Sequence, residues 1–318
     1  MNNLNIEKTF AIAIESHKNN NLQVAIDLYN KILKIEPNYL GALRNLGSAF
    51  LSLKEDQKAA SCYEKLIEID PNFIDSYYNL GVIFNTLGDI QKAKSYYEKT
   101  IEINPNHASA HNNLGAIYTE LKLLQKAIDC YERVIKIDPN YKEAYSNLGS
   151  AHQKSKSFQK ATSCYEKAIE IDPNYLEAHY NFGVMLFKIG EDQKAKSCYE
   201  KVIEINPNFV NALFNFGAIF AKSGEDQKAI DYFEKVIKID PNHIDAYYGL
   251  GVQYRSIKQY QKSKIYFEKS LSLDSSDKKT KAGYGHLLLQ LHEFTKAYKF
   301  IREGEGVIKF TQLDYKII

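Results

Sequence analysis

The chain has 318 residues, with 41 Lys and Arg against 39 Asp and Glu, and it contains 7 Pro and 16 Gly, about 7% together where ~12% is average. So few turn residues argue against a turn-rich all-β protein, and a net charge of +2 gives no bulk attraction to nucleic acid. An apolar share of 44% is enough for a large core, so we expect a folded chain.

The first residues show no secretory signal, because no apolar run and no small-residue cleavage site follow Met1. No stretch approaches the ~18 apolar residues that a membrane span needs. We therefore expect no membrane association and a cytoplasmic location.

The prolines recur at intervals of 34 residues, which predicts internal repeats. They are Pro37, Pro71, Pro105, Pro139, Pro173, Pro207 and Pro241. The frame that they set gives an N-terminal extension 1–5, eight repeats, a degenerate ninth repeat 278–311 and a C-terminal tail 312–318. The eight repeats are 6–39, 40–73, 74–107, 108–141, 142–175, 176–209, 210–243 and 244–277.

Each repeat predicts two short helices, because apolar residues recur at helical spacing in two stretches such as 40–53 and 59–69. The proline ends the second helix, since its ring removes a hydrogen-bond donor and disfavours the α conformation in the residue before it. Gly88, Gly190 and Gly224 fall at the turn between the two helices. Lys, Asn or His stands there in the other repeats, so we expect a tolerant turn.

A second glycine series lies inside the first helix, where each glycine costs about 1 kcal/mol relative to Ala. We expect a compensating close approach to a series of small residues in the second helix, such as Ala59 and Ala127, with aromatic plugs around the contact. The glycines are Gly47, Gly81, Gly115, Gly149, Gly183, Gly217, Gly251 and Gly285. The plugs include Tyr63, Tyr97, Tyr131, Tyr165, Tyr199, Phe233 and Phe267.

In these residues the chain resembles the tetratricopeptide repeat family, over essentially its whole length. The first repeat departs from the pattern with Ile12-Ala13 in place of Leu-Gly, the eighth has Ser275 in place of Pro, and the ninth lacks the terminal proline. The resemblance implies an all-α, right-handed superhelical solenoid of about nine stacked hairpins. First helices would line its concave wall and second helices its convex wall.

The sequence offers no catalytic constellation, no phosphate-binding glycine loop and no metal-ligand spacing, so we expect a protein that is not an enzyme and has no cofactor or metal. Cys62, Cys130, Cys164 and Cys198 occupy one position of the repeat, too far apart on neighbouring helices for a disulfide. They are interpreted as free, semi-buried thiols.

An asparagine stands two residues before the glycine in six consecutive repeats, at Asn45, Asn79, Asn113, Asn147, Asn181 and Asn215. We call this series the asparagine ladder. Asn costs about 0.5 kcal/mol against Ala in mid-helix, and its carboxamide carries one acceptor and two donors. The ladder therefore predicts a concave groove that binds the backbone of an extended partner peptide.

Tandem duplication of one solvated Asn is the alternative explanation. Against it, the neighbouring position, taken to be exposed, varies freely as Arg44, Tyr78, Asn112, Ser146, Tyr180 and Phe214. The ladder also resembles that of O-linked N-acetylglucosamine transferases, whose concave asparagines hold protein substrates.

Three aromatic residues beside the ladder, Tyr78, Tyr180 and Phe214, are candidate apolar anchors for the peptide, with partly buried wall packing as the equal alternative. A carboxylate clamp for chaperone C-termini is disfavoured, because the concave positions where it needs Lys and Arg carry mostly acidic or neutral residues.

The main functional prediction is a protein-interaction scaffold that binds a protein or peptide partner and no nucleic acid. The alternative is the substrate-recruiting N-terminal region of a larger enzyme, such as an O-linked glycosyltransferase or a hydroxylase. The tail that ends in Ile317-Ile318 is apolar, which predicts fold-back, self-association or continuation into a further domain. RNA binding by helical repeats is a weak third hypothesis, since the concave positions are not basic.

Overall fold

The computed structural model describes residues 3–305, and all regular structure in that part of the chain is α-helical. The eighteen helices of this part are α1 (Asn3–Lys18), α2 (Leu22–Ile35), α3 (Leu40–Ser52), α4 (Asp56–Ile69), α5 (Ile74–Thr86), α6 (Ile90–Ile103), α7 (Ala108–Glu120), α8 (Leu124–Ile137), α9 (Lys142–Lys154), α10 (Phe158–Ile171), α11 (Leu176–Lys188), α12 (Asp192–Ile205), α13 (Val210–Lys222), α14 (Asp226–Ile239), α15 (Ile244–Ser256), α16 (Tyr260–Leu273), α17 (Lys278–Gln290) and α18 (Phe294–Glu305). The predicted all-α class is confirmed.

The helices form stacked hairpins in two units, the first ending at Lys167 and the second starting at Ala168, within α10. In each unit a first helix packs against the second helix of its own hairpin, and that second helix packs against the next first helix. First helices also contact one another, for example α7 with α9 and α13 with α15. Within each unit the first helices therefore form one wall.

The predicted hairpin core is present, but the glycines of the first helices lie against aromatic rings. A methyl group at Gly115 would lie 2.7 Å from Cε1 of Tyr131. The same ring contact, at 2.6–3.0 Å, recurs at the seven glycines from Gly47 to Gly251, each with the plug 16 residues later. Only at Gly285 do the nearest atoms include a residue of the small series, the Ala297 carbonyl oxygen at 3.1 Å. Glycine is therefore required in the first helix mainly because a buried ring packs against it. The expected approach to the small residues of the second helix is a minor reason for the glycine.

The turn between the two helices has a left-handed residue in every hairpin of the described part. Gly88, Gly190 and Gly224 have φ of 77–86°, and the other six turns place Asn20, Lys54, Lys122, Lys156, Lys258 or His292 at φ of 58–62°. The turn accepts these side chains, as expected, although left-handed backbone costs a non-glycine residue about 1–2 kcal/mol.

The break between hairpins depends on the residue before the proline as well as on the proline. Asp138 Oδ1 accepts a hydrogen bond from the Asn140 N–H at 2.9 Å, across Pro139. The same turn, with distances of 2.8–3.1 Å, forms at Asp70, Asn104, Asp172, Asn206, Asp240 and Asp274. Asp274 precedes Ser275, so the side-chain bond persists where the proline is missing.

The N-terminal end of the chain differs from the expected outline, whereas the last described helix lies within the expected ninth repeat. Helix α1 begins at Asn3, inside the segment assigned as an N-terminal extension, and α18 continues through Gly304 to Glu305. Gly304 packs on α17, since a methyl group there would lie 2.6 Å from the Ala282 nitrogen. The apolar tail and its expected self-association lie outside the described residues. None of the described helices has the length and apolar character needed to cross a bilayer.

The four cysteines are free, as their spacing predicts. Burial raises the pKa of each thiol to about 11. They are therefore protonated at neutral pH.

We predict that Lys122→Gly raises the free energy of unfolding by about 0.5–1 kcal/mol, because glycine removes the left-handed strain and loses only part of that gain to unfolded-chain entropy. Urea unfolding followed by circular dichroism measures the shift. Ala116→Gly, at an exposed position of the same hairpin, is the control and should lower stability by about 1 kcal/mol. A loss of stability in both variants would contradict the argument.

We predict that Gly115→Ala lowers the free energy of unfolding by about 1–3 kcal/mol, as overpacking does elsewhere, despite the better helix propensity of Ala. In Gly115→Ala/Tyr131→Leu the ring is absent, so the additional cost of the alanine should vanish. An equal cost of the alanine with and without the ring would show that another contact requires the glycine.

Candidate ligand-binding face

The asparagine ladder lies on the wall of first helices. Asn45, Asn79, Asn113 and Asn147 lie on α3, α5, α7 and α9 of the first unit, and Asn181 and Asn215 lie on α11 and α13 of the second. All six side chains are partly buried. The amides are therefore lodged in the wall and are not freely solvated.

One part of the ladder forms a hydrogen-bond chain between hairpins. Asn113 Nδ2 donates to the Tyr97 hydroxyl at 3.3 Å and lies 3.5 Å from the Tyr78 hydroxyl. Asn147 Nδ2 donates to Asn112 Oδ1 at 3.0 Å, and Asn112 Nδ2 lies 3.5 Å from Asn113 Oδ1. Each hairpin thus orients an amide of its neighbour.

Other members of the ladder keep their amides available. Within residues 3–305, Asn45, Asn79 and Asn181 make no side-chain hydrogen bond in the structure. Their partly buried donors and acceptors are the groups that a ligand would satisfy.

The position before each ladder residue was expected to be exposed, and this is wrong at five of the six positions, since only Arg44 is exposed. Ser146 is buried, with 2% of its surface exposed, and Tyr78, Asn112, Tyr180 and Phe214 are partly buried. Tyr78 and Asn112 reach the ladder residue of the next hairpin. The physical reason is stacking, because this position faces the next first helix.

The three candidate anchors pack against tilted aromatic rings. The Tyr78 ring lies 4.8 Å from the His107 ring, and Phe214 lies 5.0 Å from His243, at the N-terminus of the next first helix. Tyr180 lies 5.1 Å from Phe209 at the same place. His107 and His243 also accept the N–H of Ala110 and Ala246 through Nδ1, at 3.2 Å. The anchors therefore belong to the contact between hairpins and keep only part of their surface for a ligand.

The ladder residue correlates with the plug 16 residues before it. Each of the six asparagines follows a tyrosine plug, and Gly249 and Gly283 follow the phenylalanine plugs Phe233 and Phe267. A methyl group at Gly249 would lie 2.8 Å from Cε2 of Phe233. The hydrogen bond from Asn113 shows what the pair does: burial raises the pKa of Tyr97 to about 12, and this bond opposes the rise.

Sequence reasoning did not single out the small residues that lie one helical turn beyond the ladder. These are Ser48, Val82, Ala116, Ser150, Val184 and Ala218. Their side chains are short and uncharged, and their recurrence three residues after the Asn was the available signal.

His111 and His179 have packing roles in the structure. Each places Nε2 3.0 Å from the carbonyl oxygen of the proline that precedes its helix, Pro105 or Pro173. Burial lowers the pKa of His111, which keeps its ring neutral at pH 7. Among residues 3–305 there is no group of His, Cys, Asp or Glu side chains that could hold a metal ion.

Stacked helical hairpins with a polar wall of first helices define a protein-interaction scaffold of the helical-repeat class. Models described as tetratricopeptide repeat or TPR repeat match residues 47–88, 74–107, 108–141, 143–175, 176–209, 198–231, 217–256 and 244–277. The chain belongs to the tetratricopeptide repeat family.

Solved structures of repeat proteins are similar to parts of the chain. MamA is 27% identical over 51% of this chain and 95% of its own, with a TM-score of 0.49. YrrB, a TPR protein with an unusual peptide-binding site, is 25% identical over 59% of this chain and 96% of its own, with a TM-score of 0.48. The Cut9–Hcn1 complex of APC/C matches 84% of this chain and 52% of its own at 16% identity and a TM-score of 0.62, which supports the fold. No curated protein sequence matches the chain.

We predict that the Tyr97 and Asn113 substitutions are coupled. Tyr97→Phe and Asn113→Gly each leave a partner without its hydrogen bond, whereas the double variant reproduces the pair at Phe233 and Gly249. A double-mutant cycle in urea should give a coupling energy of about 0.5–1.5 kcal/mol. Tyr97→Phe with Asn140→Gly in an exposed loop is the control and should be additive; additivity in both pairs would contradict the coupling.

Proposed function

We propose that the wall of first helices binds an extended segment of a partner protein through the asparagine ladder. The observation that carries the proposal is the partly buried amides of Asn45, Asn79 and Asn181, which have no partner among the described residues. A carboxamide pairs with both the N–H and the C=O of a peptide unit. Such contacts bind the backbone of the ligand and tolerate variation in its side chains.

The spacing of the ladder suits an extended ligand. Neighbouring packed helices lie about 8–10 Å apart, and three residues of extended or polyproline II chain span about 9–10 Å. One hairpin therefore corresponds to about three ligand residues. The orienting bonds at Asn113 and Asn147 reduce the entropy lost when those amides bind.

The side chains of the ligand would meet the rings and the short side chains around the ladder. Tyr78, Tyr180 and Phe214 present partly buried rings beside Asn79, Asn181 and Asn215, and rings of this kind bind apolar side chains at little entropic cost. Ser48 and Val82, one helical turn beyond Asn45 and Asn79, carry short uncharged side chains. The cytoplasmic location remains a prediction from the sequence.

The decisive experiment uses peptides selected from a random display library against the wild-type chain. Exchanging two ladder pairs, Tyr29→Phe/Asn45→Gly with Tyr63→Phe/Asn79→Gly, removes two open amides and substitutes a combination that the chain already contains. We predict that peptide affinity, measured by calorimetry, falls about tenfold or more, since two backbone hydrogen bonds are lost.

The matched control is Asn140→Ala/Asn242→Ala, which removes two asparagines from exposed loops and should leave affinity unchanged. Methylating the peptide nitrogen that faces the ladder should weaken binding as much as the exchange does. Unchanged affinity in an exchanged variant that unfolds at the wild-type midpoint would refute the ladder as the binding element.

A second candidate function is favoured by the resemblance of the ladder to that of O-linked N-acetylglucosamine transferases. In this case the same face recruits protein substrates for an enzyme domain on the same polypeptide. The gene sequence beyond the codon for Ile318 separates it from the stand-alone scaffold.

A further inference from the structure

A concavity near the C-terminal ends of α15 and α17 carries positive charge without a counter-ion. Its volume is about 370 Å³, and its lining residues are Val252, Arg255, Ser256, Lys258, Tyr260 and Gln290. The lining therefore contains two cations, an amide and two hydroxyl groups, and no carboxylate.

Arg255 is the central group of this concavity. Its guanidinium is partly buried, and Nη1 donates to the Gly283 carbonyl oxygen at 3.1 Å. Among residues 3–305 no carboxylate forms an ion pair with it. Burial lowers the pKa of Arg255, an effect opposed by Tyr248, yet a guanidinium stays protonated at neutral pH. Most of its five donors remain for another acceptor.

Carboxylates on α15, on α18 and in the turn before α18 already have partners. Asp245 pairs with Lys279 at 3.2 Å, Glu293 with Lys264 at 2.8 Å and Glu303 with Lys281 at 2.8 Å. Asp226 Oδ2 accepts the Ser256 hydroxyl at 3.0 Å. A partly desolvated cation without an ion-pair partner costs free energy, and an anionic ligand would offset that cost.

Arg255 also continues the ladder wall in the second unit. Gly283, whose carbonyl it binds, is the ladder position of α17, where glycine replaces asparagine. The equivalent of Arg255 in every other repeat from the second onward is uncharged, namely Leu51, Asn85, Thr119, Gln153, Phe187, Ala221 and Leu289. Tyr248 occupies the repeat position of Arg44, and Arg255 lies two helical turns beyond it. Arg255 therefore differs from the positions considered for a carboxylate clamp.

We propose that this concavity is an oxyanion subsite, in which Arg255 binds a carboxylate or a phosphate monoester carried by a side chain of the bound segment. The inference rests on the proposed function and adds the chemistry of one ligand side chain. The planar guanidinium forms paired hydrogen bonds with either group. Lys258 and Gln290 supply further donors at the rim.

The test observes Arg255 directly by NMR. The chain has four arginines, Arg44, Arg133, Arg255 and Arg302, so its Nε–Hε signals are few and are assigned by substitution. Three N-acetylated, C-amidated pentapeptides of Ala are titrated, with Glu, phosphoserine or Gln in the centre, and inorganic phosphate is titrated separately.

We expect the Glu or the phosphoserine peptide to shift the Arg255 signal saturably, and the Gln peptide to leave it unchanged. Arg255→Lys should weaken binding about tenfold, because the paired geometry is lost. Arg255→Ala, which introduces the residue found at position 221, should abolish binding, and Lys188→Ala in the same unit should have no effect.

The proposal is overturned if the Gln peptide shifts the signal equally, if Arg255→Ala retains the affinity, or if inorganic phosphate binds as tightly as the peptides. If one of these results is obtained but exchange of the ladder pairs still lowers the affinity of the displayed peptides, the proposed function stands without the subsite. If exchange of the ladder pairs leaves peptide affinity unchanged while the Glu or phosphoserine peptide still shifts the Arg255 signal, the backbone ladder alone is refuted.

Discussion

The packing of an aromatic ring on a glycine holds together seven of the nine hairpins in the described part of the chain, from α3–α4 to α15–α16. A second-helix ring lies where the first helix has no side chain, at distances that leave no room for a methyl group. This contact fixes the approach of the two helices, and a buried Tyr or Phe contributes the largest apolar area of the hairpin. In six consecutive hairpins the ladder asparagine stands two residues before the glycine on which that ring packs.

The tyrosine plugs also connect the core to the candidate binding face. The ladder amide of Asn113 reaches the hydroxyl group of the Tyr97 plug in the preceding hairpin, whereas the hydroxyl groups of Tyr131 and Tyr165 bond to Thr119 and Gln153 of their own hairpins. A phenylalanine plug offers no hydroxyl group, and glycine replaces the amide. The ladder therefore has a structural role in part of its length and open amides elsewhere, and the two explanations weighed from the sequence apply to different residues.

The sequence predicted what repeats within one hairpin and missed what depends on stacking. Prolines, glycines and apolar spacing determined the helices, and one shared position explained the four free cysteines. The burial of Ser146 was misjudged because stacking is not visible within one hairpin; at the same position of the preceding repeat, Asn112 meets Asn147, which lies 35 residues later in the chain. The subsite at Arg255 was equally invisible, since Gly283 and Gln290 reach it only from the next first helix.

The plug and ladder pairs have a consequence for how such an array can grow. Each pair has one member in the second helix of one hairpin and the other in the first helix of the next, so its two residues stand on opposite sides of the boundary that the prolines mark. Recombination between a tyrosine-type and a phenylalanine-type hairpin at that boundary would separate matched partners, whereas exchange at the tight turn inside a hairpin would keep them together. The segment inherited as a compatible block is then a second helix with the first helix that follows it, offset by half a period from the repeat that the sequence displays.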